Sequence, residues 1–370
     1  MRIGIVDADL IGCKSQRFPN LACMKIAGYY RERRADVELL TDYDIDFSQY
    51  DKVYLSKVFK ATEVPEKILQ LPNVEYGGTG FYYDKAPMLD PVIEHSFPYY
   101  DLYKPWVDKM IASGKKRSQF TWYLDFSIGF TTRGCFRGCK NCVNRNYKQS
   151  IRWSRIGEFY DPSRPYICLL DDNLFACKDW RAIFEELEAT GRKVIYRQGL
   201  DERLLTEEKC EYLFNRLKWY GDYIFAFDNI AYKDEIVTKL DLLQRYNPKG
   251  HIKFYCFCAF NHDDPNTYSE EFWVKDIEEL FERIKILFRY KCYPYIMRYE
   301  DYEISPYRGM YIAIASWCNQ PSMFKKKTLR EFAYSKLEEG NTAVLRYIRE
   351  FGGKYPQIAR KYFDMRWDSL

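Results

Sequence analysis

Histidine is the scarcest chemistry-bearing residue in this chain: only His95, His251 and His262 occur among 370 residues. A histidine-rich metal centre, or a hydrolase driven by a histidine base, is therefore not expected. Long apolar runs are missing too. No segment approaches the ~20 apolar residues that a membrane helix needs. The amino terminus, Met1 to Asp7, is a short apolar run followed by acids, unlike an export signal. Nor is there an excess of one charge. The formal net charge is +4 with 30% charged residues, which gives no argument for nucleic acid, and short basic runs such as Lys115-Lys116-Arg117 and Lys325-Lys326-Lys327 read as solvated surface. Without an export signal, the twelve cysteines read as reduced thiols of a cytoplasmic protein, some of them metal ligands.

What is abundant points to a folded α/β protein. The length suits two domains rather than one. Aromatic residues make up 18% of the chain, 34 of them tyrosines, which favours a well-packed interior and aromatic-lined clefts. Residues 1–105 read as a small parallel-sheet unit. Strands are expected at Arg2–Asp7, Val37–Leu40, Lys52–Phe59 and Val74–Tyr76, with helices at Phe18–Arg33 and Val64–Leu71. The cluster Gly77-Gly78-Thr79-Gly80 suits a tight turn or a phosphate cradle. A proline-bearing connector, Glu94–Gln119, suits a domain boundary.

From Asp125 the pattern becomes regular, and a second domain is expected over 120–300. Strand-like runs fall at Asp125–Phe130, Tyr166–Asp171, Lys193–Gln198, Tyr223–Phe227, Lys253–Phe260 and Tyr293–Arg298. Helical stretches between them are Asp179–Thr190, Thr206–Tyr220, Glu235–Tyr246 and Glu270–Phe288. Periodicity alone fits either an open doubly wound sheet or an incomplete (β/α)6 barrel. The strand ends are consistently polar: Asp171-Asp172-Asn173, Gln198 with Asp201, Asp228-Asn229, Asn261, and Arg298-Tyr299-Glu300. Helix capping accounts for some of these and a binding site for others. Residues 301–370 continue with an apolar run, Met310–Ser316, and helices at Thr328–Leu337 and Thr342–Phe351, a mainly helical extension. Nothing in this tail resembles an RNA-binding module.

The stretch Thr131-Thr132-Arg133-Gly134-Cys135-Phe136-Arg137-Gly138-Cys139-Lys140-Asn141-Cys142 organises the rest. Its C-x3-C-x2-C spacing can bring three thiolates onto one soft metal centre, with the glycines letting the loop fold back. Structural zinc and ordinary iron–sulfur clusters take four protein ligands. Here the next cysteine is as distant as Cys168. A [4Fe–4S] cluster on three cysteines would keep one iron open.

This spacing after a strand resembles the signature of the radical S-adenosylmethionine (radical SAM) enzymes. The resemblance implies a Rossmann-like amino-terminal sheet, a partial (β/α)6 barrel and a helical tail. It implies a [4Fe–4S] cluster on Cys135, Cys139 and Cys142, with S-adenosylmethionine chelated at the open iron and cleaved to a 5′-deoxyadenosyl radical. It also implies a flavodoxin- or ferredoxin-type electron donor and a small-molecule or peptide substrate. The Asp171-Asp172-Asn173 turn stands where the family grips the methionine amino group, though without that motif's glycines. Gln198 and Asp201 stand for ribose or substrate contacts, and Arg203 for the methionine carboxylate. Asn141 replaces the aromatic residue usual before the third cysteine. The first 105 residues are similar to cobalamin-binding domains, but Asp9 occupies the place of the cobalt-coordinating histidine. A cofactor-free remnant is expected there, with cobalamin, and hence methyl transfer, as the lesser option.

Two other readings stay open. Cys135, Cys139 and Cys142 with a fourth ligand such as Cys168 would make a closed, non-catalytic zinc or iron–sulfur site. The cysteines could also be incidental to a nucleotide-binding α/β protein. Cys256 and Cys258, two apart on one strand face, suit core packing or, with Cys168, Cys292 or Cys318, a second cluster.

Overall fold

The computed structural model describes residues 1–13, 18–246, 248, 250–265 and 267–369. Two compact units, Met1–Ile195 and Tyr196–Leu370, make up the chain.

The first unit opens on four parallel strands, β1 (Arg2–Asp7), β2 (Asp36–Leu40), β3 (Lys52–Ser56) and β4 (Val74–Gly77), in the order β2-β1-β3-β4. Ile5 lies opposite Leu39 on one side and Tyr54 on the other. A central parallel strand is covered on both faces, which is why β1 is an unbroken apolar run. Val6, Leu40, Phe47, Val53, Leu55 and Ile68 form the core beneath it. The crossover helix Leu21–Glu32 starts where the Asn20 side chain accepts from the Cys23 amide at 3.2 Å, three residues later than the apolar pattern suggests.

The carboxyl edge of this sheet is filled by polar side chains. Asp7 is fully buried. It accepts from the Tyr103 hydroxyl at 2.7 Å, and that hydroxyl accepts from the Asn20 amide at 3.0 Å. Asp9, in the place of the cobalt-coordinating histidine, is 1% exposed. Its oxygens accept from the Val58 amide at 2.7 Å, the Phe59 amide at 3.4 Å and the Thr62 hydroxyl at 2.5 Å. Asp9 thus pins the loop after β3. Gly77-Gly78-Thr79-Gly80 is a tight turn against that loop: Gly78 has φ +107°, and a Cβ there would lie 2.3 Å from the Lys57 carbonyl oxygen.

The connector expected to separate domains packs inside the first unit instead. Tyr100 hydroxyl accepts from the Ile128 amide at 2.8 Å and donates to the Phe159 carbonyl at 2.6 Å. Tyr103 and Val107 are buried as well. Aromatic anchoring outweighs the loop signal of the prolines, and the connector lies within the unit Met1–Ile195. Beyond the connector come β5 (Phe126–Gly129), a two-residue antiparallel ladder of β6 (Thr132–Arg133) with β7 (Ile151–Arg152), then β8 (Tyr166–Leu169) and β9 (Lys193–Tyr196). β5 and β8 pair in parallel, with Ile128 opposite Cys168, and β9 follows β8 in the sheet order.

The second unit contains three parallel strands, Tyr223–Ala226, Ile252–Cys258 and Tyr293–Arg298, adjacent in chain order. Helices Lys233–Gln244 and Glu270–Arg289 make the crossovers. The helix expected over 206–220 is a single α-turn, Glu207–Cys210, running into a π-helical turn, Glu211–Arg216, and a short strand, Lys218–Trp219. Helices Arg308–Cys318, Leu329–Glu338, Ala343–Lys354 and Pro356–Tyr362 complete the chain. Among the described residues no helix is long and apolar enough to cross a membrane. The protein is a mixed α/β structure built on several parallel sheets.

Burial, reinforced by Asp9 and opposed by the Tyr103 hydrogen bond, raises Asp7 to about 6 from an ordinary value of 3.8. A native carboxyl raised in this way favours the fold while protonated, and that contribution disappears as pH climbs from about 4 through 6. Asp7→Asn removes the titration. Its unfolding free energy, relative to the parent's, is expected to rise by about 3 kcal/mol between pH 4 and pH 8 in urea titrations. A pH-independent difference would show that Asp7 titrates normally.

Candidate functional site

The cysteine loop leaves the carboxyl end of β5 and returns as β7, and the carboxyl end of β8 holds it in place. Asp171 is fully buried. It accepts from the Thr131 amide at 2.7 Å, the Thr132 amide at 2.9 Å and the Thr132 hydroxyl at 2.9 Å, and also from the Thr131 hydroxyl. Asp172 accepts from the Gly134 amide at 2.7 Å and from the Asn144 side-chain amide at 2.6 Å. Asn173 donates through Nδ2 to Cys135 Sγ at 3.4 Å. The turn expected to grip a ligand therefore first of all grips the loop. Asp171 takes one of these four hydrogen bonds on Oδ1 and three on Oδ2, so in the protein as it stands it acts as a clamp on the loop. Burial raises Asp171 to about 6 and raises Asp172 too, against the opposing hydrogen bonds.

Gly134 has φ +91°, and a Cβ there would meet the Gln149 carbonyl oxygen at 2.3 Å, so the two limbs of the loop touch where only glycine fits. The Arg137 amide donates to Cys135 Sγ at 3.5 Å and the Asn144 amide to Cys142 Sγ at 3.4 Å. Burial raises the Cys142 thiol, and the nearby Cys135 sulfur adds to the shift. Cys139 is exposed. Among the described residues, no three His, Cys, Asp or Glu side chains are gathered as a ready-made metal site. The donor set suits a soft metal nonetheless: three thiols in eight residues, with N–H groups directed at two of the sulfurs. Cys168, the candidate fourth ligand of a closed site, is wholly buried on β8.

Three further contacts fix the loop. Tyr83 hydroxyl donates to the Asn141 carbonyl at 2.8 Å, and Arg145 Nε meets Asp84 Oδ2 at 2.8 Å. Arg152 Nη2 reaches both oxygens of Glu186, at 2.8 and 2.7 Å. At the base of the loop Glu94 Oε1 accepts from Lys25 Nζ at 2.8 Å and from Trp153 Nε1 at 3.0 Å, with Arg133 Nη2 at 3.7 Å. Glu94 and Lys25 side chains are 6% and 5% exposed. Burial alone would raise Glu94, but Lys25, Arg133 and Trp153 together hold it below the ordinary carboxylate range, while burial lowers Lys25 against the pull of Glu94. None of the residues of this node carries a local sequence signal.

The remaining site candidates belong to the second unit. Gln198 is exposed. Asp201 and Arg203 hold each other, Nε to Oδ1 at 2.8 Å, and the guanidinium lies 4.7 Å from the Tyr232 ring centre. Sequence reasoning passed over their neighbour Glu202, which is 2% exposed and raised to about 8 by burial and by Asp201. Asp228 Oδ1 accepts from the Phe257 amide at 2.9 Å. Asn229 caps the turn Ile230–Tyr232, as the capping reading anticipates, whereas Asn261 accepts from the Asp263 and Asp264 amides within a loop and caps no helix. Cys256 and Cys258 are buried, their sulfurs directed at the Phe254 and Met297 carbonyls at 3.8 and 3.6 Å.

The Asp171 clamp has a measurable weight. Asp171→Ala would leave four donors without their acceptor and is expected to lower unfolding free energy by about 3 kcal/mol or more. Thr131→Ser, which keeps the hydroxyl, should stay within about 1 kcal/mol. Equal effects of the two in denaturant titrations of the metal-free protein would contradict the clamp.

No family model matches the chain, and no curated protein matches it.

Proposed function

We propose that this chain is a radical SAM enzyme, with Cys135, Cys139 and Cys142 holding a [4Fe–4S] cluster that leaves one iron open. The strand–helix steps from β5 onward then belong to an incomplete (β/α)6 barrel, preceded by a Rossmann-type sheet. One observation carries the reading: a three-cysteine loop at the carboxyl end of a parallel strand, held by the turn that ends the neighbouring strand. Parallel-sheet proteins concentrate their chemistry at this edge.

When bound, the cluster with S-adenosylmethionine supplies one-electron cleavage of the sulfonium to a 5′-deoxyadenosyl radical. The chain's own work is to hold and orient. Asn173 and the Arg137 and Asn144 amides direct hydrogen bonds at sulfur, which stabilises thiolate ligands. Asp171 holds the loop, so acceptance from the methionine ammonium passes to Asp172, Asn173 and the carbonyls of their turn. Arg203 offers a carboxylate site wherever a ligand displaces Asp201, and the exposed Gln198 offers an amide for ribose. Asp9 is committed to the loop after β3 and supplies no cobalt ligand, so cobalamin, and with it methyl transfer, is the lesser option. The electron donor is of flavodoxin or ferredoxin type, and the substrate is a small molecule or peptide.

Anaerobic reconstitution should give about four irons per chain, an electron paramagnetic resonance signal that changes on adding S-adenosylmethionine, and 5′-deoxyadenosine as product. Cys139→Ala should abolish the product while leaving far-ultraviolet circular dichroism unchanged. One zinc per chain, or a signal indifferent to S-adenosylmethionine, would sink the proposal and favour a closed four-ligand site.

A further inference from the structure

The buried node at Glu94 lies outside the cysteine motif, yet it joins the loop's two limbs to the amino-terminal sheet. Arg133, two residues before Cys135, approaches Glu94 from the outgoing limb, and Trp153 reaches it just after β7 on the returning limb. Lys25 reaches it from the helix Leu21–Glu32, which crosses between β1 and β2. A carboxylate this buried holds its place only while its donors surround it. The Arg133 guanidinium lies 3.3 Å from the Phe130 ring centre, and its Nε is buried with no hydrogen-bond partner. Glu94 is therefore the counter-charge that keeps Arg133, and with it the start of the loop, in place.

We propose that Glu94 is a positioning residue for the cysteine loop: one carboxylate shared by Arg133, Trp153 and Lys25 sets the spacing of the loop's two limbs, and so of Cys135 and Cys142. The spacing role stands on the geometry alone. Its consequence for a bound cluster rests on the radical SAM reading.

A merely structural role would amount to burying Lys25 for the stability of the fold. The double variant Lys25→Met with Glu94→Leu separates the two, since replacing a buried ion pair by apolar side chains of similar size commonly keeps a fold stable. It still leaves Trp153 without its acceptor and Arg133 without its counter-charge. Hydrogen exchange of the metal-free protein is expected to quicken at least tenfold across residues 131–153 in this variant, with the midpoint of thermal unfolding held near the parent's. Glu94→Gln keeps an acceptor for Trp153 but loses the charge, and should quicken the Arg133 limb more than the Trp153 limb. In reconstituted protein, either variant should shift the g-values of the reduced cluster. Loop exchange equal to the parent's in both variants would overturn the inference. If the parent takes up no iron, the enzymatic reading fails, while the exchange measurement still decides the role of Glu94.

Discussion

A carboxylate buried beneath two threonines is the constraint on which the candidate site depends. Taking Asp171 out of water is unfavourable unless its oxygens are fully engaged. Two backbone amides and two hydroxyls of Thr131 and Thr132 do so. The end of β8 is thereby fastened to the first residues after β5. Asp172 and Asn173 extend the attachment to Gly134, Asn144 and Cys135. A loop of small and polar residues has little apolar surface to bury, so directional hydrogen bonds do the ordering that hydrophobic packing does elsewhere.

The same economy recurs at the edge of the amino-terminal sheet. Asp7 and Asp9 are buried on the carboxyl side of β1, where many α/β proteins receive a ligand, and here the protein itself supplies the partners. Tyr103, drawn from the connector, bonds Asp7, and the loop after β3 bonds Asp9. A connector whose tyrosines reach into that edge and against β5 cannot act as a loose linker.

Much of this was legible in the residues. Cysteine spacing located the loop, and apolar runs located most strands within a residue or two. Three things were not. The apolar pattern of 206–220 matches an α-helix, but Glu211–Arg216 winds as a π-helix and the stretch ends as a strand, a register that local periodicity does not encode. Asp171 was identified by type and place, yet a carboxylate at a strand end reads equally as ligand grip or as clamp until its donors are known. Glu94 had no signal at all, since its partners Lys25 and Trp153 lie 69 and 59 residues away. Tertiary pairing of that range is invisible to spacing rules.

Lys25, Asp84, Glu94, Asp171, Asp172 and Glu186, which hold the loop, all precede Ile195 in the chain. At translation rates of ~5–20 residues per second, every one of these anchors leaves the ribosome before the second unit has been made. The first 195 residues already contain the cysteines and the groups that fix them, so the loop can close before the second unit exists.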